Sequence, residues 1–358
     1  MKIDIVRQRL RNQKLASSGF ETPADVVAWL GAVQSQDFTG AKWAIGQRAR
    51  GVTDADVDHA FDTGAILRTH ILRPTWHFVA PADIRWMLAL TAPRVQARNR
   101  LYYRHVELDD RVLATGRRIV ERALEGGQPL TRAELGVTLR RGGVEWNGIR
   151  LAYVMMNAEL EGVICSGARR GKQFTYVLLD ERVPQVRPRD RDEALADLTR
   201  RYFTSHGPAT LRDYAWWSGL TMREARAGVE MLKDTLVQER VDDLTYWYAP
   251  PAAETGGRAP RAFLLPNFDE YLVAHQDRGC VIESPGSVPK GTLEYPHRLV
   301  IDGKMRGSWK RTLGLTTAAA EIRPYRPLDG DETKAVAAAA DRYSRFLGMP
   351  VTIRVGRP

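Results

Sequence analysis

Apolar positions recur at helical spacing from the start of the chain and predict a short amphipathic helix over residues 4–15. Thr22-Pro23-Ala24-Asp25 follows, with an N-cap residue, a proline at the first helical position and an acid in the first turn. The stripe Val26, Val27, Trp29, Leu30 and Val33 extends that helix, which is expected to carry the chain to Gln34-Ser35-Gln36-Asp37. A second helical pattern covers 53–63, and 66–79 is extended, a hairpin interrupted by Pro74. Helices followed by a hairpin are the order of a winged helix.

Residues 81–125 are predicted helical and carry Arg94, Arg98, Arg100 and Arg104 on neighbouring faces, either as a solvated surface or as phosphate contacts. Thr131-Arg132-Ala133-Glu134 is a capping box that opens a helix. A basic turn at 140–143, a helix over 148–161 and two strands within 164–179 come next, the strands flanking the basic tip Gly167-Ala168-Arg169-Arg170-Gly171-Lys172. Linker composition at 183–190 leads to helices over 191–205, from 208–211 through Trp216 and Trp217, and over 222–232, then strands within 236–248. The same order thus returns without any sequence repeat of fixed period. Beyond 262 the pattern turns to strands at 263–265, 281–282, 298–301, 304–311 and 319–324, with Asp302-Gly303 as a two-residue hairpin signal. A helix over 331–347 and a strand at 351–355 complete the prediction.

The length of 358 residues suits two or three domains at about 150 residues each. The 53 basic and 43 acidic residues leave a net charge of +10, a field that favours polyanions. No apolar run approaches the roughly 20 residues of a membrane helix, and the N-terminus shows no secretory signal, so a cytoplasmic protein without membrane attachment is expected. Cys165 and Cys280 are too few for a disulfide framework or a thiolate zinc cluster.

Phosphate-loop, zinc-helix and nucleophile-elbow motifs are absent from the sequence. His70 and His77 share one predicted hairpin, but a separation of seven places them on opposite faces of a regular strand, against a shared metal. No metal and no cofactor is expected. Gln34 and Gln36 are the unusual pair. On a continuous helix they point about 200° apart, so both amides reach one point only if the helix ends or tightens near Ser35. Capping or packing is the competing explanation for them.

Four fragments carry a resemblance: Ala32-Val33-Gln34-Ser35-Gln36, Thr69 through Val79, Leu264-Leu265-Pro266-Asn267-Phe268-Asp269-Glu270-Tyr271, and Val300 through Trp309. The sequence resembles the tandem winged-helix DNA glycosylases of the AlkZ and YcaQ type, whose members excise bulky N-alkylated purines and include a crosslink-unhooking enzyme of genotoxin self-resistance. Its Gln-x-Gln form resembles the AlkZ branch. The resemblance implies an α+β fold, C-shaped with a concave DNA-binding face, in which three tandem winged-helix motifs are arranged around a C-terminal β-barrel-like part. Its expected regions are 1–108, first winged helix with the Gln-x-Gln motif and a helical extension; 109–185, second winged helix with a basic wing; 186–261, third winged helix; and 262–358, β-rich with a C-terminal helix.

On this basis Gln34 and Gln36 are the expected catalytic residues, positioning a water rather than acting as bases. Asp37 is a candidate helper, with an N-cap or a salt bridge as its alternative. Expected DNA contacts are Arg169, Arg170 and Lys172 on the second wing, Arg150 near it, and Arg73, Trp76 and His77 on the first hairpin, Trp76 being equally a core candidate. The implied partner is double-stranded DNA carrying alkylated purines, bound by a monomer associated with the nucleoid. The alternative function is a non-catalytic winged-helix regulator.

Overall fold

A computed structural model describes residues 3–17, 19–250, 259–283 and 296–357; parts of the expected third and fourth regions, 251–258 and 284–295, lie outside the described residues. Helix α1 (Ile5–Asn12) is capped by Asp4, and α2 (Pro23–Leu30) by Thr22. The chain then forms β1 (Val33–Gln34), α3 (Phe38–Gly46), α4 (Asp54–Thr63), β2 (Leu67–His70) and β3 (Trp76–Val79). Helices α5 (Pro81–His105) and α6 (Asp110–Leu124) lead into β4 (Leu130–Thr131), α7 (Arg132–Arg141), α8 (Gly148–Leu160), β5 (Ile164–Ser166), β6 (Thr175–Leu178) and the short α9 (Leu179–Arg182). A third set follows in α10 (Arg191–Ser205), α11 (Leu211–Ser218), α12 (Met222–Glu230), β7 (Val237–Val241) and β8 (Leu244–Tyr248). The remainder holds β9 (Ala262–Leu265), α13 (Glu270–Val273), β10 (His297–Ile301), β11 (Lys304–Leu313), β12 (Ala318–Pro324), α14 (Gly330–Leu347) and β13 (Val351–Val355).

One connectivity appears three times. Helix, strand, helix, helix, strand, strand describes α2-β1-α3-α4-β2-β3, with sheet order β1-β3-β2, and α6-β4-α7-α8-β5-β6, with order β4-β6-β5. In the third set a single bridge, Ala209 to Trp247, stands in place of the first strand beside the β7-β8 hairpin. Helices α4, α7, α11 and α12 open on reciprocal capping boxes, of which the one at Thr131 and Glu134 was read from its spacing in the sequence.

Several expectations change. Helix α2 ends at Leu30 because Gly31, at φ 78, turns the chain out of the helix, and Gln34 falls on β1 opposite His77. The helical stretch after Pro81 is two helices, broken where Glu107 takes φ 54 and Asp109 caps α6. Residues Gly279–Val281 form a 3-10 turn rather than a strand. The expected barrel is an open five-stranded sheet, ordered β13-β12-β11-β10-β9. Its edge strands cannot join because α14 crosses back to make β13 parallel to β12 and lies against β9, where Arg342 donates to the Ala262 carbonyl. Asp302 and Gly303, at φ 49 and 75, make the anticipated β10-β11 turn, and a Cβ on Gly303 would lie 2.1 Å from Val6 of α1. No described helix is long and apolar enough to cross a membrane.

The loop between β9 and α13 is tied to the first set by a buried ion pair. Arg48, 1 % exposed, gives two N–H bonds to Asp269 at 2.9 and 2.7 Å. Its other three reach the Gln13 carbonyl, the Gln13 side chain and the Ala44 carbonyl, so all five guanidinium donors are used. Removing one partner strands the other charge in the interior. Arg48→Met is therefore expected to lower the unfolding free energy, measured in urea, by about 3–5 kcal/mol; a loss under about 1 kcal/mol, the range of exposed ion pairs, would show that the pair does not hold the loop.

Candidate active-site cleft

Gln34 is 6 % exposed and is held from three directions. Its backbone N–H donates to Glu270 Oε1 at 2.8 Å, and its side-chain Oε1 accepts from Arg73 Nη2 at 2.7 Å. On either side, β1 pairs with β3, and Ser35 N–H reaches the Trp76 carbonyl at 2.7 Å. The Ser35 carbonyl takes two bonds from Arg68, at 3.3 and 3.2 Å.

Arg73 sits in the sharp β2-β3 turn, beside Leu72 at φ 63, and is itself buried. Its Nη1 donates to the Trp217 carbonyl at 2.6 Å and to that of Trp216 at 3.4 Å. These are among the last carbonyls of α11, which lack partners within the helix and favour a cation. Gly219 makes this approach possible: at φ 73, a Cβ there would meet the Leu72 carbonyl oxygen at 2.0 Å. Burial, together with the neighbouring Arg73 charge, pushes His77 down to about 3. The imidazole is neutral, with Nδ1 donating to the Thr75 carbonyl at 2.9 Å and Nε2 facing Arg73.

Glu270 is fully enclosed. Its Oε2 accepts from Trp217 Nε1 at 2.9 Å and lies 3.5 Å from His206 Nε2. Burial opposes its ionisation, but His206 and the Gln34 N–H outweigh it and hold the carboxyl below its ordinary value. Sequence reasoning missed Glu270 as a site residue; the signal was an acid pair, Asp269-Glu270, separated by three residues from the apolar strand Ala262–Leu265.

A largely apolar cleft of about 460 Å³ opens against Gln34, with Arg73, Thr75, Trp216 and Phe268 in its walls. A larger hollow, about 810 Å³ near Trp43 and Phe346, contains none of the expected site residues. Gln36 is exposed and lies outside the cleft lining; its Oε1 accepts weakly from Trp76 N–H at 3.4 Å. Asp37 takes both of its structural alternatives, capping α3 through Gly40 N–H at 3.0 Å and pairing with Arg311 at 2.8 Å.

The expected DNA contacts divide. Arg73 and His77, at 9 and 0 % exposure, are interior groups of a hairpin whose strands are almost wholly buried. Trp76 is half-buried between the Arg68 guanidinium, 4.3 Å from its ring, and His70, which pairs with Glu159 of α8. Arg169 is tied to Asp58 at 2.8 Å and Asp62 on α4, and Arg170 to Glu134 at 2.6 Å. Arg150 lies 3.5 Å from Glu107, while Lys172 is exposed and has no ion-pair partner among the described residues.

The model of the DNA glycosylase AlkZ-like family matches residues 27–346. An interstrand DNA cross-link repair glycosylase of Streptomyces sahachiroi is 23 % identical over 373 aligned positions, covering 96 % of this chain and 97 % of that protein. The solved structure of Streptomyces sahachiroi DNA glycosylase AlkZ superposes with a TM-score of 0.82 at 22 % identity, over 99 % of this chain and all of that one.

The neutral His77 makes stability pH-dependent. Its folded pKa lies below the unfolded value near 6.5, so the stabilisation is complete above that pH and is lost as pH falls toward 3. At pH 4.5 the cost is about 2–3 kcal/mol. Urea unfolding above pH 6.5 and at pH 4.5 should show His77→Gln losing about that much less than the unmodified chain between the two; parallel losses would disprove a buried neutral imidazole.

Proposed function

The chain belongs to the AlkZ-like family of DNA glycosylases, and from that premise we propose that it hydrolyses the N-glycosidic bond of cationic N7- or N3-alkylated purines in double-stranded DNA. The carrying observation is Gln34, a buried amide fixed by Arg73 and Glu270 at the wall of an apolar cleft. The name of the Streptomyces relative supports interstrand crosslinks as lesions and a place in DNA repair; bulky adducts and genotoxin self-resistance extend that reading.

Alkylation at N7 or N3 makes the base a cation, so it leaves without being protonated. As the C1′–N bond breaks, its electron pair returns to the base, which departs neutral, while water adds to C1′ and gives up a proton to solvent. An abasic site remains, with no strand cleavage by the protein and no cofactor. Gln34 Oε1 has two lone pairs and Arg73 takes one; the second holds the attacking water, and the amide NH₂ donates to a sugar or phosphate oxygen. Gln36 supplies a second amide from the exposed side. Asp37 acts indirectly, by fixing the start of α3.

Each of the three repeated connectivities is read as a winged helix, within 1–108, 109–185 and 186–261, with 262–358 as the β-rich remainder and the duplex on a concave face. On the second wing Lys172, and Arg170 in part, meet phosphates, whereas Arg169 serves the contact with α4. The protein acts as a monomer inside the cell, on the nucleoid.

Duplexes carrying one defined lesion each, from methylated to crosslinked, test the proposal. Gln34→Ala is expected to cut base release about 10²-fold or more, as for loss of a positioned catalytic group, with DNA binding retained. Unchanged excision by the Gln34→Ala, Gln36→Ala double variant would remove the assignment. A protein that binds undamaged DNA selectively and never releases base would be a regulator instead. For the wing, the slope of log affinity against log salt should fall by about 1 for Lys172→Ala and by less for Arg169→Ala; the reverse order would return Arg169 to the phosphates.

A further inference from the structure

Trp216 and Trp217 are neighbours on α11 but meet different surroundings. Trp217 is wholly enclosed, whereas Trp216 is 44 % exposed and lines the Gln34 cleft. Its indole N–H is tied to the Val273 carbonyl at 3.0 Å, and its own carbonyl accepts from the guanidinium that holds Gln34. The ring is thus anchored next to the candidate catalytic amide while much of its surface stays open.

A second aromatic side chain reaches the same cleft for an independent reason. Phe268 has φ 63, the left-handed region that a bulky L-residue rarely adopts. Both neighbours enforce it: Asn267 N–H donates to His297 Nδ1 at 2.8 Å, and Asp269 is held by Arg48. Strain maintained by over-determined neighbours is characteristic of ligand clamps. Unlike Trp217, Trp309, Trp43 or Phe61, neither Trp216 nor Phe268 makes a ring–ring contact among the described residues. The charged groups in the cleft wall are Arg73, Arg278, Arg298 and Asp269, and both carboxylate oxygens of Asp269 are already taken by Arg48, so the aromatic faces are left to attract a cationic base.

We propose that Trp216 and Phe268 form the platform on which the planar cationic base of the lesion stacks while Gln34 faces the bond to be broken. The proposal rests on the glycosylase assignment above and names the subsite for the leaving base. Cation–π attraction fades when the base leaves neutral, so the platform holds substrate more firmly than product.

The test combines single-turnover excision of 7-methylguanine from a duplex with calorimetric binding of the nucleoside 7-methylguanosine, guanosine serving as the neutral control. Trp216→Ala and Phe268→Ala are each expected to lose about tenfold or more in excision rate and in 7-methylguanosine affinity, the scale of one lost stacking contact. Trp216→Phe should keep most of both, and thermal melting of each variant identifies any loss of fold. Wild-type excision and nucleoside affinity in Trp216→Ala would overturn the proposal. If the unmodified protein releases no base, the glycosylase assignment fails by itself. Nucleoside binding then decides the platform alone: dependence on Trp216 supports it, and independence overturns it.

Discussion

A carboxylate enclosed in a protein interior must be met by donors fixed in place, because water cannot supply them. Glu270 imposes that requirement on three distant stretches of chain at once. The Gln34 N–H comes from the first repeat, the Trp217 indole from the third, and Glu270 itself from the loop that leaves the C-terminal sheet. Arg73 closes the ring by joining the Gln34 side chain to the end of α11. The cleft lies where these parts meet, and none of them forms it alone.

The same economy governs the basic residues. A net charge of +10 favours polyanions, yet many of the arginines face inward or bind a neighbouring acid. Arg48 and Arg73 are structural cations, and Arg169 and Arg170 between β5 and β6 answer Asp58, Asp62 and Glu134. Net charge counts groups without regard to their partners, so it overstated how much of the surface is free to meet a polyanion. Lys172 is exposed and has no ion-pair partner among the described residues.

Local chemistry was the legible part of the fold. Thr131 announced its helix through a capping box, and Asp302-Gly303 announced its turn, because each depends on residues within four positions. The Gln34 geometry was not legible in this way. A helical stripe through Val33 outweighed a single glycine, and only pairing with β3, more than 40 residues away, makes Val33-Gln34 a strand. The roles of Glu270 and Arg73 are likewise tertiary: their partners lie 236 and 39 residues distant and leave no spacing to detect. Capping and pairing were the right alternatives for Asp37, since both involve its immediate chemistry.

Helix α4 carries Asp54, Asp56, Asp58 and Asp62, and it receives Lys42 from its own repeat and Arg169 from the next. A helix with that charge repels a phosphate backbone, and its acids instead take up basic side chains from two repeats. The three copies of one topology have therefore not kept one kind of surface. The first abuts the second through paired charges, so a change of sign on α4 would be felt first at the seam between them.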